Sequence, residues 1–139
     1  MKIEYRTPAG SGAYSVLADE SVTTLGAAIS GFQPTFKKAP YVAKGYGAAV
    51  PVTLDMGNAD WAMGFLVERQ HATPDAALAF IQAEPLTYAG QNDLKVTVGA
   101  QVTYLANCVL TECTPAPASD QSSRIKYMFS GGTYTQTAP

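Results

Sequence analysis

His71 is the only histidine in the chain, and histidine is the side chain that most often acts as a general base near neutral pH. It stands beside Glu68 and Arg69, where a strand-like run gives way to a helix-like one. It is therefore expected to be a solvent-facing or lightly packed residue of a connection. A Ser-His-Asp triad assembles in space rather than in sequence, but no Gly-x-Ser-x-Gly turn is present to expose a nucleophile. Ser11, in Gly10-Ser11-Gly12, reads as part of a flexible turn. Gly45-Tyr46-Gly47-Ala48-Ala49-Val50 opens like a dinucleotide fingerprint, but the third glycine is missing. Pro51 follows where a helix N-terminus would have to receive the phosphate. Asp55, Asn58 and Asp60 form an oxygen-rich turn without the order of an EF-hand, so no ion is assigned. Cys108 and Cys113 fit no zinc spacing. On a regular strand their odd separation turns them to opposite faces, and they cannot pair without a bulge or turn between them. They are expected to be small buried hydrophobes in a reducing compartment. The residues thus predict no enzyme, no metal and no cofactor.

A different chemistry is offered by Phe36, Lys37, Lys38, Tyr41, Lys44 and Tyr46, which interleave bases with aromatics. Single-stranded nucleic acid is held by that combination. The whole chain carries a net charge of −2, however, which gives no general attraction to nucleic acid or to an anionic membrane. The remaining readings are a charged tip on an exposed loop and a protein-contact loop, since loop aromatics often anchor interfaces. The surrounding segment, 31–50, has too many prolines and glycines for a core strand and too many aromatics for a free solvated loop. It is expected to be a long loop or projecting hairpin that meets a neighbouring subunit. Phe36 and Tyr41 would be the anchors, with the lysines at the rim and Tyr46 alongside.

The elements that would position these residues read as mainly β. Ile3, Tyr5 and Thr7 share a face of a first strand over 2–7, and Pro8 to Gly12 turns the chain. Tyr14 to Leu17 and Ser21 to Ser30 read as strands, although Leu25 to Ile29 also suits a helix, and Val50 to Leu54 reads as a strand before turn residues at 56–60. Trp61, Met63, Phe65 and Val67 alternate along a strand reaching about Gln70. One helix follows at about 74–84. Thr73 caps it, Pro74 suits its first position, Asp75 faces the positive end of its dipole, and Pro85 stops it. Ala77, Leu78, Phe80 and Ile81 give it an apolar stripe with which to dock on a sheet. Leu94, Val96 and Val98 lie on a strand closed by Gly99-Ala100, and Gln101 to Glu112 form a long strand with a bulge or turn at Ala106-Asn107. Thr114 to Ser123 reads as a hairpin loop. Ser123 to Ser130 is a strand broken by Gly131-Gly132, with pairing resumed at 133–135.

The chain has the size of one domain, 139 residues, large enough to bury a core without staples. Only 14% of its residues are charged, which leaves much neutral surface of the kind that assembled proteins cover with a partner. No apolar run approaches the roughly 20 residues of a membrane helix. The opening residues lack the apolar core of a signal peptide, which predicts no Sec-type export. The expected fold is a β-sandwich or barrel, one β-rich domain over 1–139, with a single short helix packed on the sheet and an arm at about 31–50.

The order of elements from Trp61 to Tyr134 resembles that of small bacteriophage and prophage tail proteins. The aromatic strand Trp61-Ala62-Met63-Gly64-Phe65-Leu66-Val67-Glu68-Arg69 leads through His71-Ala72-Thr73 to the alanine-rich helix Pro74-Asp75-Ala76-Ala77-Leu78-Ala79-Phe80-Ile81. Asp93-Leu94-Lys95-Val96-Thr97-Val98, Val102-Thr103-Tyr104 and Cys108-Val109-Leu110 follow, and Ser123 to Gly132 closes the pattern. Tail-tube and distal-tail proteins similarly pack one helix on a β-sandwich or barrel and assemble as rings, usually hexamers. The resemblance implies a structural virion protein of a tail tube, a tail-completion ring or a baseplate. Its partners would be copies of itself and other tail proteins, with DNA only as a non-specific passenger if the assembly is tubular. It would reside in the virion tail after assembly in the bacterial cytoplasm. The alternative is a β-sandwich binding module for carbohydrate or a receptor, with Tyr41, Tyr46, Trp61, Tyr88 and Tyr134 as stacking faces.

Overall fold

The computed structural model describes residues 1–38, 41–43, 52–54, 59–119 and 121–139. Its strands are β1 (Lys2–Arg6), β2 (Ser15–Asp19), β3 (Ala27–Lys38), β4 (Tyr41–Ala43), β5 (Val52–Leu54), β6 (Ala59–Gln70), β7 (Gln91–Val98), β8 (Gln101–Ser119) and β9 (Ser122–Thr135). One helix, α1 (Pro74–Thr87), lies between β6 and β7. Seven strands form one sheet in the order β2-β1-β7-β8-β9-β6-β3, and β4 pairs with β5 as a separate ribbon. Every neighbouring pair is antiparallel. The molecule is mainly β with one helix, as the alternation of apolar residues predicts.

Period-2 burial explains the sheet's inner face. Met63, Phe65 and Val67 of β6 are buried with Ile125, Tyr127 and Phe129 of β9, Leu94 and Val96 of β7, and Ile3 of β1. β7 and β6 are separated in the sheet by β8 and β9, so the connection between them must cross both. α1 makes that crossing and packs on β8 and β9. Thr73 has extended backbone, and its hydroxyl accepts from the Ala76 N–H at 3.1 Å, as expected of the cap. Ala77 is buried and Phe80 and Ile81 are half-buried, but Leu78 is exposed and does not belong to the docking stripe.

The bulge expected at Ala106-Asn107 is present. Asp93 of β7 faces both residues, since the register passes from Leu94↔Leu105 to Asn92↔Cys108. Asn107 takes a left-handed φ of 57°, and its N–H donates to Asp93 Oδ1 at 3.0 Å.

Several expected boundaries are corrected. Ser21 to Gly26 is a turn region and the strand begins at Ala27. Leu25 there has φ 50°, and a Cβ on Gly26 would sit 2.1 Å from the Val22 carbonyl oxygen, so the chain doubles back too tightly to extend. Residues 31–38, expected in a loop, continue β3 in register with β6 from Gln33↔Gly64 to Lys38↔Ala59. The strand is bulged at Gly31 and Phe32, and Pro34 is accommodated because β3 is an outer strand. Pro85 does not stop α1 but lies inside it; the last turn is held by Tyr88, whose buried hydroxyl donates to Glu84 at 2.6 Å. The hairpin loop placed at 114–123 contracts to the tip between Ser119 and Ser122. Beyond Val109 the β8 strand has outrun β7, so among the described residues one of its edges has no strand partner, and Pro115 and Pro117 cost no ladder bond on that side. Gly131-Gly132 bends β9 without breaking it. Gly131 is the extra residue of a bulge at φ 82°, and Gly132 lets the chain pass where a Cβ would meet the Ala106 carbonyl oxygen at 2.5 Å. The two cysteines are free thiols. They do not point to opposite faces: a bulge at Thr111 restores the parity, so buried Cys108 and half-buried Cys113 both pack on the core. Burial pushes the Cys108 thiol up to about 12 and the Cys113 thiol up to about 11, which leaves both protonated.

Candidate functional site: an aromatic ladder at the end of the sheet

Phe36 lies directly across from Trp61 in the β3–β6 pairing. Trp61 has the same parity as Met63, Phe65 and Val67, so it continues the inner face of β6 towards the Ala59 end of the strand. The ring centroids of Phe36 and Trp61 are 4.9 Å apart, and Trp61 stacks on Tyr134 of β9 at 4.6 Å with planes 21° apart. The three rings form a ladder across β3, β6 and β9. Trp61 and Tyr134 are half-buried, whereas Phe36 is 49% exposed. Lys37 is exposed beside Phe36, opposite Asp60.

Of the residues expected to act together, Phe36 and Lys37 stand at this end of the sheet, and Lys38 pairs through its backbone with Ala59. Tyr41 opens β4 opposite Leu54. Tyr46 and Lys44 lie outside the described residues, as do the glycine run at 45–50 and the turn residues Asp55 and Asn58. Sequence reasoning missed the role of Trp61 and Tyr134 as partners of Phe36. The parity of Trp61 was visible; its register with positions 25 residues before and 73 residues after it in the chain was not. Tyr88, proposed as a stacking face, is buried under α1 against Tyr5 and Phe129 and presents no face outward.

His71 is half-buried. Its Nε2 lies 2.8 Å from Ser123 Oγ, and its ring packs on Phe80 at 5.1 Å. Burial, and then the neighbouring Arg69 charge, push its pKa below the ordinary 6.5. Ser123 is fully buried, so the pair ties His71 to the interior of β9. It helps to seat α1 on the sheet. Nearby, Arg69 joins four elements: Nη2 donates to the Leu17 carbonyl of β2 at 2.7 Å, and Nη1 donates to the Tyr127 hydroxyl of β9 at 3.0 Å. Its guanidinium lies over the Phe80 ring and 3.9 Å from Glu84, both on α1. Glu84 is buried, and its Oε1 accepts from the hydroxyls of Tyr88 and Tyr127 at 2.6 and 2.7 Å.

No protein-family model and no curated protein sequence matches the chain. Among solved structures, the fold is similar to that of a chain in the tail of an empty GTA (gene transfer agent) particle with C6 symmetry. That likeness has a TM-score of 0.56 at 11% sequence identity and covers 99% of this chain and 95% of the other. It extends over the first 60 residues as well as over the half of the chain that carries the sequence resemblance, and what the two chains share is the fold.

Proposed function

We propose that this protein is a structural subunit of a phage-like tail, working through contacts between copies of itself in a ring or tube. The observation that carries the reading is the end-to-end likeness of its fold to a chain from a C6-symmetric tail. The exposed Phe36 and Lys37 at the root of the arm support it, because an aromatic with a basic rim is the kind of surface that a neighbouring subunit covers. On this reading the joint is the end of β3 at Phe36 and Lys37 with the segment to residue 50 that follows it, the ring is sixfold, and the component is a tube, tail-completion or baseplate-ring subunit of the virion tail, assembled in the host cytoplasm. Other tail proteins cap it, and DNA is only a non-specific passenger where the assembly is tubular. Negative-stain microscopy of the purified chain tests this: rings or tubes are expected, and a dispersed monomer at tens of micromolar argues against it.

The half-exposed stack of Trp61, Tyr134 and Phe36 favours a second reading, a binding module whose ladder stacks on a sugar ring. A monomer whose tryptophan fluorescence shifts on adding oligosaccharide would select that reading.

A further inference from the structure

In an antiparallel ladder, a residue bonded to one neighbouring strand turns its N–H and C=O to that side, and the next residue turns them to the other. The ladder between β8 and β9 runs through both prolines, pairing Pro115 with Ile125 and Pro117 with Ser123. A proline has no N–H to give, so the residues bonded to β9 there are Thr114 and Ala116, opposite Lys126 and Arg124. The alternation carries across the sheet. With Lys126 and Met128 of β9 turned to β8, Tyr127 and Phe129 bond to Phe65 and Met63 of β6. Gly64 and Ala62 of β6 then bond to Gln33 and Thr35 of β3, and Pro34 falls between these two. One register thus turns the nitrogens of all three prolines away from their partner strands. On β3 that side is the outer edge of the sheet. On β8 it is the side that β7 covers only as far as Val109. Neither edge has a strand partner there among the described residues.

The two edges differ from ordinary strand edges in what they can offer. Of Cys113, Pro115 and Pro117, the outward-turned residues of the β8 overhang from Glu112 onward, only Cys113 keeps a donor. Charge does not protect this edge. Glu112 is the one charged residue between Leu110 and Ser119, and it lies 3.7 Å from Lys126 of β9. On β3, Pro34 follows the bulge at Gly31 and Phe32, where Gly31 has φ 60°, and precedes the exposed Lys37. A strand added along either edge needs a donor at every second residue and an unbroken spacing.

We propose that Pro34, Pro115 and Pro117 guard the two open edges: they deny an incoming strand its donors and so keep free copies of this chain from polymerising through their backbones. The inference concerns the free chain and does not rest on the tail-subunit reading.

The test restores the missing donors with threonine, which suits a strand. One variant carries Pro115→Thr with Pro117→Thr, and a second carries Pro34→Thr. The control is Ala116→Thr, an exposed position whose N–H is already bonded to β9. Each chain is agitated at a concentration at which the parent stays dispersed, and association is followed by thioflavin T fluorescence and light scattering. Both proline variants are expected to associate about 10-fold faster than the parent and to bind the dye, with the control behaving as the parent. Thermal melting checks that each variant is folded; if the double substitution unfolds the chain, Pro34→Thr carries the test alone. A folded proline variant that associates no faster than the parent overturns the guard at its edge. An equal acceleration by Ala116→Thr overturns the proposal as a whole, because strand propensity and not the restored donor would then be the cause.

Discussion

At the scale of single residues, the polar groups beneath α1 decide how the helix is held. Arg69 is half-buried and Glu84 is buried, and each is engaged by hydroxyl or carbonyl partners. Removing Arg69 leaves the Leu17 carbonyl and the Tyr127 hydroxyl without their donor and Glu84 without its neighbouring guanidinium. Arg69→Met is therefore expected to lower the unfolding free energy by about 3–5 kcal/mol, read by urea denaturation. Replacing Arg69 and Glu84 together by apolar residues should cost less than the sum of the single changes. His71 gives a pH dependence of known sign. Its folded pKa lies below 6.5, so the unfolded chain takes up the proton first as pH falls. Stability should decline on acidification from near 6.5 until the folded imidazole itself titrates. His71→Gln should remove that part of the slope. An unchanged slope in denaturation midpoints between neutral and mildly acidic buffer would show that burial of His71 is not the cause.

At the scale of elements, the helix is fixed by local chemistry at its start and by tertiary contacts at its end. Thr73→Ala should cost about 1 kcal/mol through the lost cap. Phe80 is half-buried and carries the Arg69 guanidinium on its face, so Phe80→Ala should cost about 2 kcal/mol, less than for a fully buried ring. Chemical denaturation of the two variants checks both values, and equal effects would contradict the packing described. The cap at Thr73, the alternation from Trp61 to Val67 and the bulge at Ala106-Asn107 were legible because each depends on residues close together in the chain. The prolines misled because their effect depends on which neighbour a strand has. Pro34 lies on an outer strand, and Pro115 and Pro117 lie where β8 has outrun β7, so all three sit in strands with a free edge. Pro85 is carried inside α1 because the buried Tyr88–Glu84 hydrogen bond holds the following turn. Phe36 could be read as an anchor from its type and setting. Its stacking partners depend on register across three strands, which no local pattern encodes.

At the scale of the whole molecule, a seven-stranded sheet, a helix packed on β8 and β9 and an exposed phenylalanine and lysine at the end of β3 make up the subunit that, on the proposed function, joins its own copies. Because residues 33–38 pair with β6, removing them would damage the sheet as well as the arm. The cleaner change is Phe36→Ser with Lys37→Glu, both at exposed positions, which leaves the backbone pairing of β3 with β6 in place. Sedimentation velocity of that variant beside the parent tests the proposed contact between subunits. The parent is expected to sediment as a ring or larger assembly and the variant as a folded monomer; assemblies of the same size from both chains, or a monomeric parent, would contradict the tail-subunit proposal.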